Sequence, residues 1–337
     1  MIVLLGLMVI AICSCKGTNY TDEFARKYMF VLSAAAYSDS PSQCVEKIKN
    51  STFYKQYYAN CTGGNCSAFT AVVNDKRAIV LSFRGTTEIR QLFGEVREST
   101  FKHWSNWTYG GKVSKYFYEA FLNLWNGGMK EDFENLTKIH NGYEVWVTGH
   151  SLGGALATLA ASMVAGNYNG TTVKLLTFGQ PRVGDENFAK KHDEMVKFSY
   201  RVIYWSDIVP TVPCYYAQRY RHQGTEVFYA EMNSTDKHTV CDRGENFRKC
   251  SGFMYYRTIR HHVTYFGKYI FSVLAAMTRP EDAWMYRTLW FVVNDVLCAS
   301  NAPVLLALNK PIRSVYMRKI GMESKEIHTK GSLLNNI

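Results

Sequence analysis

The chain has 337 residues, 47% hydrophobic and 20% charged. That balance excludes a disordered or fibrous chain and allows one large domain with a buried core, or two smaller ones. The net charge of +11 is not gathered into one basic tract. No nucleic-acid motif is present, so nucleic acid is excluded as a partner, while a mild attraction to anionic membrane surfaces is allowed.

Met1 opens an unbroken apolar run, Ile2 to Ile12, which ends in Cys13-Ser14-Cys15-Lys16-Gly17. The run is too short to span a bilayer. Residues 1–16 read as a signal peptide cleaved near Cys15 to Gly17. No Lys or Arg precedes the run, but its start at the first residue and its small-residue exit fit a signal better than a buried helix. Asn-x-Ser/Thr acceptors at Asn19, Asn50, Asn60, Asn65, Asn106, Asn135, Asn169 and Asn233 point to the secretory pathway. If Cys13 and Cys15 leave with the signal, seven cysteines remain: 44, 61, 66, 214, 241, 250 and 298. The close spacings Cys61/Cys66 and Cys241/Cys250 suit disulfide-closed loops in an oxidising compartment. No Cys-x-x-Cys pair occurs, so no zinc site is expected. The expected location is extracellular.

Residues 23 to 36 carry a helical apolar pattern. Short β-rich runs follow at Phe69–Val73 and Ala78–Phe83, joined by the turn Asn74-Asp75-Lys76. Further β-rich runs lie at Tyr143–Thr148, Val173–Phe178 and Tyr200–Tyr204. Helical spacing falls at Tyr116–Trp125, Met129–Ile139 and Gly154–Val164. Strands alternating with helices predict an α/β fold with a mostly parallel sheet flanked by helices. In such sheets chemistry collects at the carboxyl ends of strands.

Thr148-Gly149-His150-Ser151-Leu152-Gly153-Gly154-Ala155 follows one strand directly and opens a helix. This is Gly-x-Ser-x-Gly in its required context of strand, sharp turn and helix. The turn strains the serine backbone, so its neighbours on both sides must be small. It also holds the hydroxyl beside a helix N-terminus, which favours developing negative charge. Ser151 is the expected nucleophile. It needs a base, and the base needs an orienting carboxylate, in the chain order Ser, Asp or Glu, His. Asp207 follows the strand Tyr200–Tyr204 and is the expected carboxylate. Asp185, in a Gly-rich turn, and Asp193, in a charged helical stretch, are expected on the solvated surface. The histidines in reach are His192, His222, His238, His261 and His262. Chain order favours the last two, and spacing does not separate them. The Leu152 N–H is one expected oxyanion donor. Thr86, after the strand Ala78–Phe83 and the turn residue Gly85, is the other. Ile89, Leu92, Phe93 and Val96 follow at i, i+3, i+4, i+7, an amphipathic helix read as a lid over the site, with ordinary core packing as the alternative.

These pieces together resemble the class three, fungal-type lipases of the α/β-hydrolase superfamily. The matching segments are Ser82-Phe83-Arg84-Gly85-Thr86, Gly111 to Tyr118, Val147 to Ala157, Thr177-Phe178-Gly179-Gln180-Pro181-Arg182-Val183-Gly184, Asp207-Ile208-Val209-Pro210, and His262-Val263-Thr264-Tyr265-Phe266-Gly267. They stand in family order over about residues 23 to 267. The resemblance implies Ser151, Asp207 and His262 as a triad, His262 being three residues before an aromatic pair and Gly. It places Thr86 and Leu152 at the oxyanion hole and a lid over 87 to about 98. It also implies a short disulfide loop at Cys61-Thr62-Gly63-Gly64-Asn65-Cys66. His261 stands where the family often has Asp, and Asp185 replaces a common Asn. The chain runs on about seventy residues past the last motif, with interrupted apolar stretches that make a poor membrane span.

The expected organisation is a signal peptide at 1–16, a lipase-like domain at 17–275 and a C-terminal extension at 276–337. The expected function is that of a secreted, cofactor-free lipid-ester hydrolase, triacylglycerol lipase-like, working through an acyl-enzyme. It would meet its lipid or ester substrate at a lipid–water interface, with peripheral membrane or lipid-droplet contact. Phospholipid, monoacylglycerol and feruloyl-type esters suit the same scaffold. The competing readings are a catalytically silent lipid-binding protein on this scaffold and a structural glycoprotein. An intact Ser, Asp and His argue against the first, and the ordered motif set argues against the second.

Overall fold

In the computed structural model, residues 19–270 are described, apart from 62–63, 87–101, 231–236, 244–249 and 255–256. The expected signal peptide, the lid residues Ile89, Leu92, Phe93 and Val96, and the extension 276–337 lie outside the described residues.

The hairpin forms where turn chemistry places it. The 3-10 turn Asn74–Lys76 is closed by Arg77 in the left-handed region, φ 51°. It joins β2 (Gly64–Val73) to β3 (Ala78–Phe83), antiparallel with Val73 opposite Ala78. Ahead of them runs β1 (Ser51–Cys61), an edge strand that the sequence pattern did not announce. Its alternation slips at an irregularity between Phe53 and Lys55, and Tyr54 and Tyr58 lie exposed, so it lacks a clean apolar face. A short ribbon, β4 (Trp104–Asn106) with β5 (Lys112–Ser114), stands apart from the main sheet.

The main sheet continues with β6 (Glu144–His150), β7 (Val173–Phe178), β8 (Phe198–Tyr204), β9 (Thr225–Tyr229) and β10 (Thr239–Arg243). Its order is β1-β2-β3-β6-β7-β8-β9-β10. The steps from β3 to β9 are parallel, and the outer ones are antiparallel. The mostly parallel sheet expected from the sequence is therefore present, and its middle strands are buried on both faces, as a covered parallel sheet requires.

Alternation of side chains sorts two cores. Ile79, Leu81, Phe83, Val145, Val147 and Leu175 face one cluster, with the helices Lys115–Leu124, Lys130–Ile139 and Leu152–Asn167. Ala78, Val80, Trp146, Leu176 and Phe178 face the other, against the N-terminal helix Phe30–Ala35. The helix Leu152–Asn167 is apolar nearly all round, which suits its burial between sheet and outer helices.

Two acidic residues depart from expectation. Asp185 is half-buried rather than fully solvated. Its Oδ1 caps the helix Glu186–Met195 by accepting the Phe188 N–H at 2.8 Å, and it accepts the Lys112 N–H at 3.0 Å. Asp193 accepts the Gly224 N–H at 2.7 Å. Short carboxylates beside loop amides satisfy backbone donors that would otherwise go unpaired.

The fully buried Arg201 on β8 donates to the Gln223 carbonyl at 2.7 Å and lies 3.9 Å from Glu226 on β9. Glu226 also accepts the Ser251 N–H at 2.7 Å, which ties the loop after β10 to the sheet. Removing one partner of a buried pair leaves an uncompensated charge. Glu226→Ala should cost about 3–5 kcal/mol and lower Tm by about 10 °C or more. Glu23→Ala, which breaks only the exposed pair with Lys27, should leave Tm nearly unchanged. Thermal unfolding of the two variants beside wild type checks this.

Candidate active site

β6 hands the chain to the helix Leu152–Asn167 within one residue. Ser151 sits in that turn at φ 59°, ψ −130°, a conformation that L residues rarely adopt. The close approach explains the flanking glycines. A Cβ at Gly149 would lie 2.3 Å from Gly153 backbone atoms, and one at Gly153 would lie 2.2 Å from the Phe83 carbonyl oxygen. The turn is anchored by Ser151 N–H to Phe178 O and by Gly154 N–H to Ser151 O, both 2.9 Å. Leu152 opens the helix, so its N–H is among the first four amides, which have no intrahelical acceptor.

Asp207 follows the carboxyl end of β8 and is fully buried. Its carboxylate accepts from three donors. The Val209 N–H reaches Oδ1 at 2.8 Å, the Tyr265 hydroxyl reaches Oδ2 at 2.8 Å, and His262 Nδ1 lies 2.9 Å from Oδ2 and 3.1 Å from Oδ1. Burial first, and the neighbouring Asp207 second, hold the Tyr265 phenol well above its ordinary range, so it remains a donor. Because Nδ1 faces a carboxylate, the His262 proton belongs there, and Nε2 carries the lone pair that a general base needs.

His262 comes to this place on the short 3-10 helix Arg260–Val263. The loop before it is stitched to the Asp207 turn. Thr258 bridges to Asp207 and donates its N–H to Ser206 O at 2.9 Å, and Arg257 Nη1 donates to the Asp207 carbonyl at 3.3 Å. The two neighbouring histidines separate cleanly. His261 Nδ1 pairs with the Ser206 hydroxyl at 2.7 Å, while His262 takes the carboxylate. His192 and His222 are buried elsewhere, against Ser199 Oγ at 3.1 Å and Pro210 O at 2.8 Å. Burial, then nearby arginines, push the His222 imidazole well below its ordinary value.

Among the described residues, Ser151 Oγ, His262 Nε2 and Thr86 Oγ1 are buried without a hydrogen-bond partner. An alcohol, a base and a donor left unpaired are the group types that acyl transfer uses. A serine–histidine contact that forms fully only with substrate bound is common in unliganded sites. Among the described residues, the one cluster with metal-ligand geometry is Glu226 with Cys241 and Cys250, and those cysteines are joined in a disulfide. Cys61 and Cys66 are joined as well, whereas Cys44 and Cys214 are free thiols. Tyr265 was not singled out from sequence as a partner of Asp207. Its place three residues after His262, in the aromatic run, was the available signal.

Comparison with known proteins agrees with this geometry. Residues 80–217 match the family of class 3 lipases. Ser151, Asp207 and Thr86 lie inside that span, and His262 lies beyond it. A lipase of Caenorhabditis elegans is 34% identical over 206 residues, 59% of this chain and 57% of that protein. The secreted mono- and diacylglycerol lipase 1 of Fusarium solani is 30% identical over 213 residues, 59% of each chain. The chain thus spans less than two thirds of the length of these relatives. A separate match of 62 residues, 18% of this chain, is 56% identical to serpentine receptor class V-1 of C. elegans, 20% of that receptor. Among solved structures, the triacylglyceride lipase of Rhizomucor miehei is 26% identical with a TM-score of 0.66, covering 75% of this chain and 97% of its own. The resemblance to class 3 lipases and the α/β-hydrolase fold expected from the motifs are both borne out.

The geometry predicts which histidine matters. A fluorophosphonate probe should label wild type at Ser151. Labelling should vanish in Ser151→Ala and fall at least about a hundredfold in His262→Ala, while His261→Ala retains most of it. Mass spectrometry of the labelled peptide and the labelling rates check this; strong labelling of His262→Ala with loss in His261→Ala would reverse the assignment.

Proposed function

We propose that this class 3 lipase-type chain is a secreted acylglycerol ester hydrolase, cofactor-free, with Ser151, His262 and Asp207 as its triad. The single observation that carries the reading is the buried His262–Asp207 pair at 2.9 Å, with His262 Nε2, Ser151 Oγ and Thr86 Oγ1 buried and unpartnered among the described residues. A silent lipid binder needs none of these atoms left free.

In the proposed reaction Ser151 Oγ attacks the ester carbonyl as its proton passes to His262 Nε2. The imidazolium is held by the buried Asp207 carboxylate. The tetrahedral oxyanion takes hydrogen bonds from the Leu152 N–H and from Thr86. Collapse transfers the proton to the leaving alkoxide and leaves an acyl-enzyme, which water then hydrolyses by the same route in reverse. No step calls for a metal.

The similarity to a mono- and diacylglycerol lipase and to a triacylglyceride lipase supports acylglycerols as the substrate class, presented at a lipid–water interface. Secretion draws support from the relative's printed name and from the surface. All acceptor asparagines among the described residues, namely Asn19, Asn50, Asn60, Asn65, Asn106, Asn135 and Asn169, are exposed.

A panel of mono-, di- and triacylglycerols, a phospholipid and a feruloyl ester tests the substrate class. Acylglycerols should give the highest kcat/KM, and Ser151→Ala should lower kcat by about 10⁴-fold or more with the fold intact. A folded Ser151→Ala protein with near-normal hydrolysis would sink the reading. Protein recovered from the medium of eukaryotic cells should begin after residue 16 and lose mass on enzymatic glycan removal. Recovery of intact Met1 with no glycan at any acceptor would contradict secretion.

A further inference from the structure

Behind the reacting atoms runs a second buried polar chain that the proposed reaction does not consume. Tyr37, just after the helix Phe30–Ala35, places its hydroxyl 2.8 Å from His150 Nδ1. The same hydroxyl oxygen accepts the Gly85 N–H. On the other side of the ring, His150 Nε2 lies 2.7 Å from the backbone carbonyl of His262. The two imidazoles lie against each other at a tilt, with centroids 4.4 Å apart and planes at 31°.

Chemistry sets the direction of every bond. A carbonyl only accepts, so His150 Nε2 carries the proton, and Nδ1 must accept from Tyr37. The chain therefore reads Gly85 N–H to Tyr37 O–H to His150 Nδ1, and His150 Nε2–H to His262 O. This fixes one tautomer of a neutral ring. Burial, then the adjacent His262, push the His150 imidazole well below its ordinary value, and burial keeps the Tyr37 phenol protonated. Among the described residues, the groups that face the His150 ring are His262, Tyr37 and Tyr265. A protonated His150 would reverse the Tyr37 bond and stand against a charged His262 in mid-reaction.

The three points joined are the three that acyl transfer must align. Gly85 precedes Thr86 in the loop after β3, His150 precedes Ser151 in the elbow, and His262 carries the base. Close packing agrees with the bonding. A Cβ on Gly85 would lie 2.1 Å from the Tyr37 hydroxyl, 2.6 Å from the His150 carbonyl oxygen and 3.1 Å from Ser151 Cβ. His262 most needs such support, because a four-residue 3-10 helix holds its backbone weakly. Asp207 fixes how the His262 ring is turned, and His150 fixes how far its backbone stands from the nucleophile.

We propose that His150 and Tyr37 are positioning residues, a neutral clamp that sets the distance of His262 from Ser151 and ties both to the oxyanion loop. The kinetic part of the proposal rests on the ester-hydrolase reading above. The structural part does not.

The test uses the full chain and a short soluble p-nitrophenyl ester. Tyr37→Phe keeps the ring and removes the hydroxyl. His150→Asn retains a polar atom near Nδ1 and loses the reach to His262. His150→Gln restores a donor three bonds from Cβ, where the imidazole Nε2 stands. Tyr37→Phe and His150→Asn should lower kcat by about 10–100-fold with KM within about twofold, because a misplacement near 1 Å costs rate rather than binding. His150→Gln should recover kcat to within about fivefold of wild type. In proton NMR, the low-field His262 Nδ1–H resonance should be sharp in wild type and His150→Gln and broadened in the other two. Folded Tyr37→Phe and His150→Asn proteins with wild-type kcat and an unbroadened resonance would overturn the clamp. So would a loss carried by KM, or a Gln variant no better than Asn. A wild-type protein without ester hydrolysis defeats the ester-hydrolase reading instead, and the resonance still decides whether the clamp exists.

Discussion

The architecture depends on one backbone constraint, the turn at Ser151. A residue at φ 59°, ψ −130° is uphill on its own and persists only where its surroundings over-determine it. Here they do. β3 and β7 flank β6 in parallel register, Phe178 O holds the Ser151 amide at 2.9 Å, and Gly153 lets the next helix settle against the Phe83 carbonyl. A well-packed interior is needed to hold such a turn, which accounts for the burial of the elbow strand on both faces and of the helix behind it.

That burial sets the electrostatic problem that the rest of the site solves. Asp207 is a fully buried carboxylate with no cation on its oxygens in the hydrogen bonds described. Arg257 addresses its backbone carbonyl instead. Its charge is balanced by oriented donors: an amide, a phenol and an imidazole. A cation there would remove the attraction for a developing imidazolium. Donors without net charge satisfy the carboxylate and, in the proposed reaction, leave that attraction for an imidazolium at His262. His150, kept neutral beside His262, follows the same logic, since a charged ring 4.4 Å away would oppose proton transfer.

Local patterns were readable where one local effect dominates. The turn Asn74–Lys76, the strands Ala78–Phe83 and Val173–Phe178 and the helix after Ser151 follow from turn residues, apolar runs and small-residue spacing. β1, the β4/β5 ribbon, β9 and β10 did not stand out. β1 exposes aromatics and slips register near Phe53, and the ribbon strands are three residues each. β9 holds its Glu226 only because Arg201 and the Ser251 amide face it. Asp185 and Asp193 went to the surface by composition, yet each serves a backbone amide that lies far along the chain.

What the amino-acid order determined by itself is the strand–turn–helix elbow at Ser151 and the parallel α/β plan, because Gly-x-Ser-x-Gly between a strand and a helix is a local steric requirement. It also narrowed the carboxylate to Asp207 through its place at a strand end. It did not separate His261 from His262 by spacing, since adjacent residues share every long-range approximation. Tertiary structure decided that: the bridge of Thr258 to Asp207 turns His262 onto the carboxylate and His261 onto Ser206. It alone brought Tyr265 to Asp207, and Tyr37 to His150 from 113 residues away. A hydrogen-bond partner that distant in sequence is selected by the packing of the sheet and its helices, which no local pattern records.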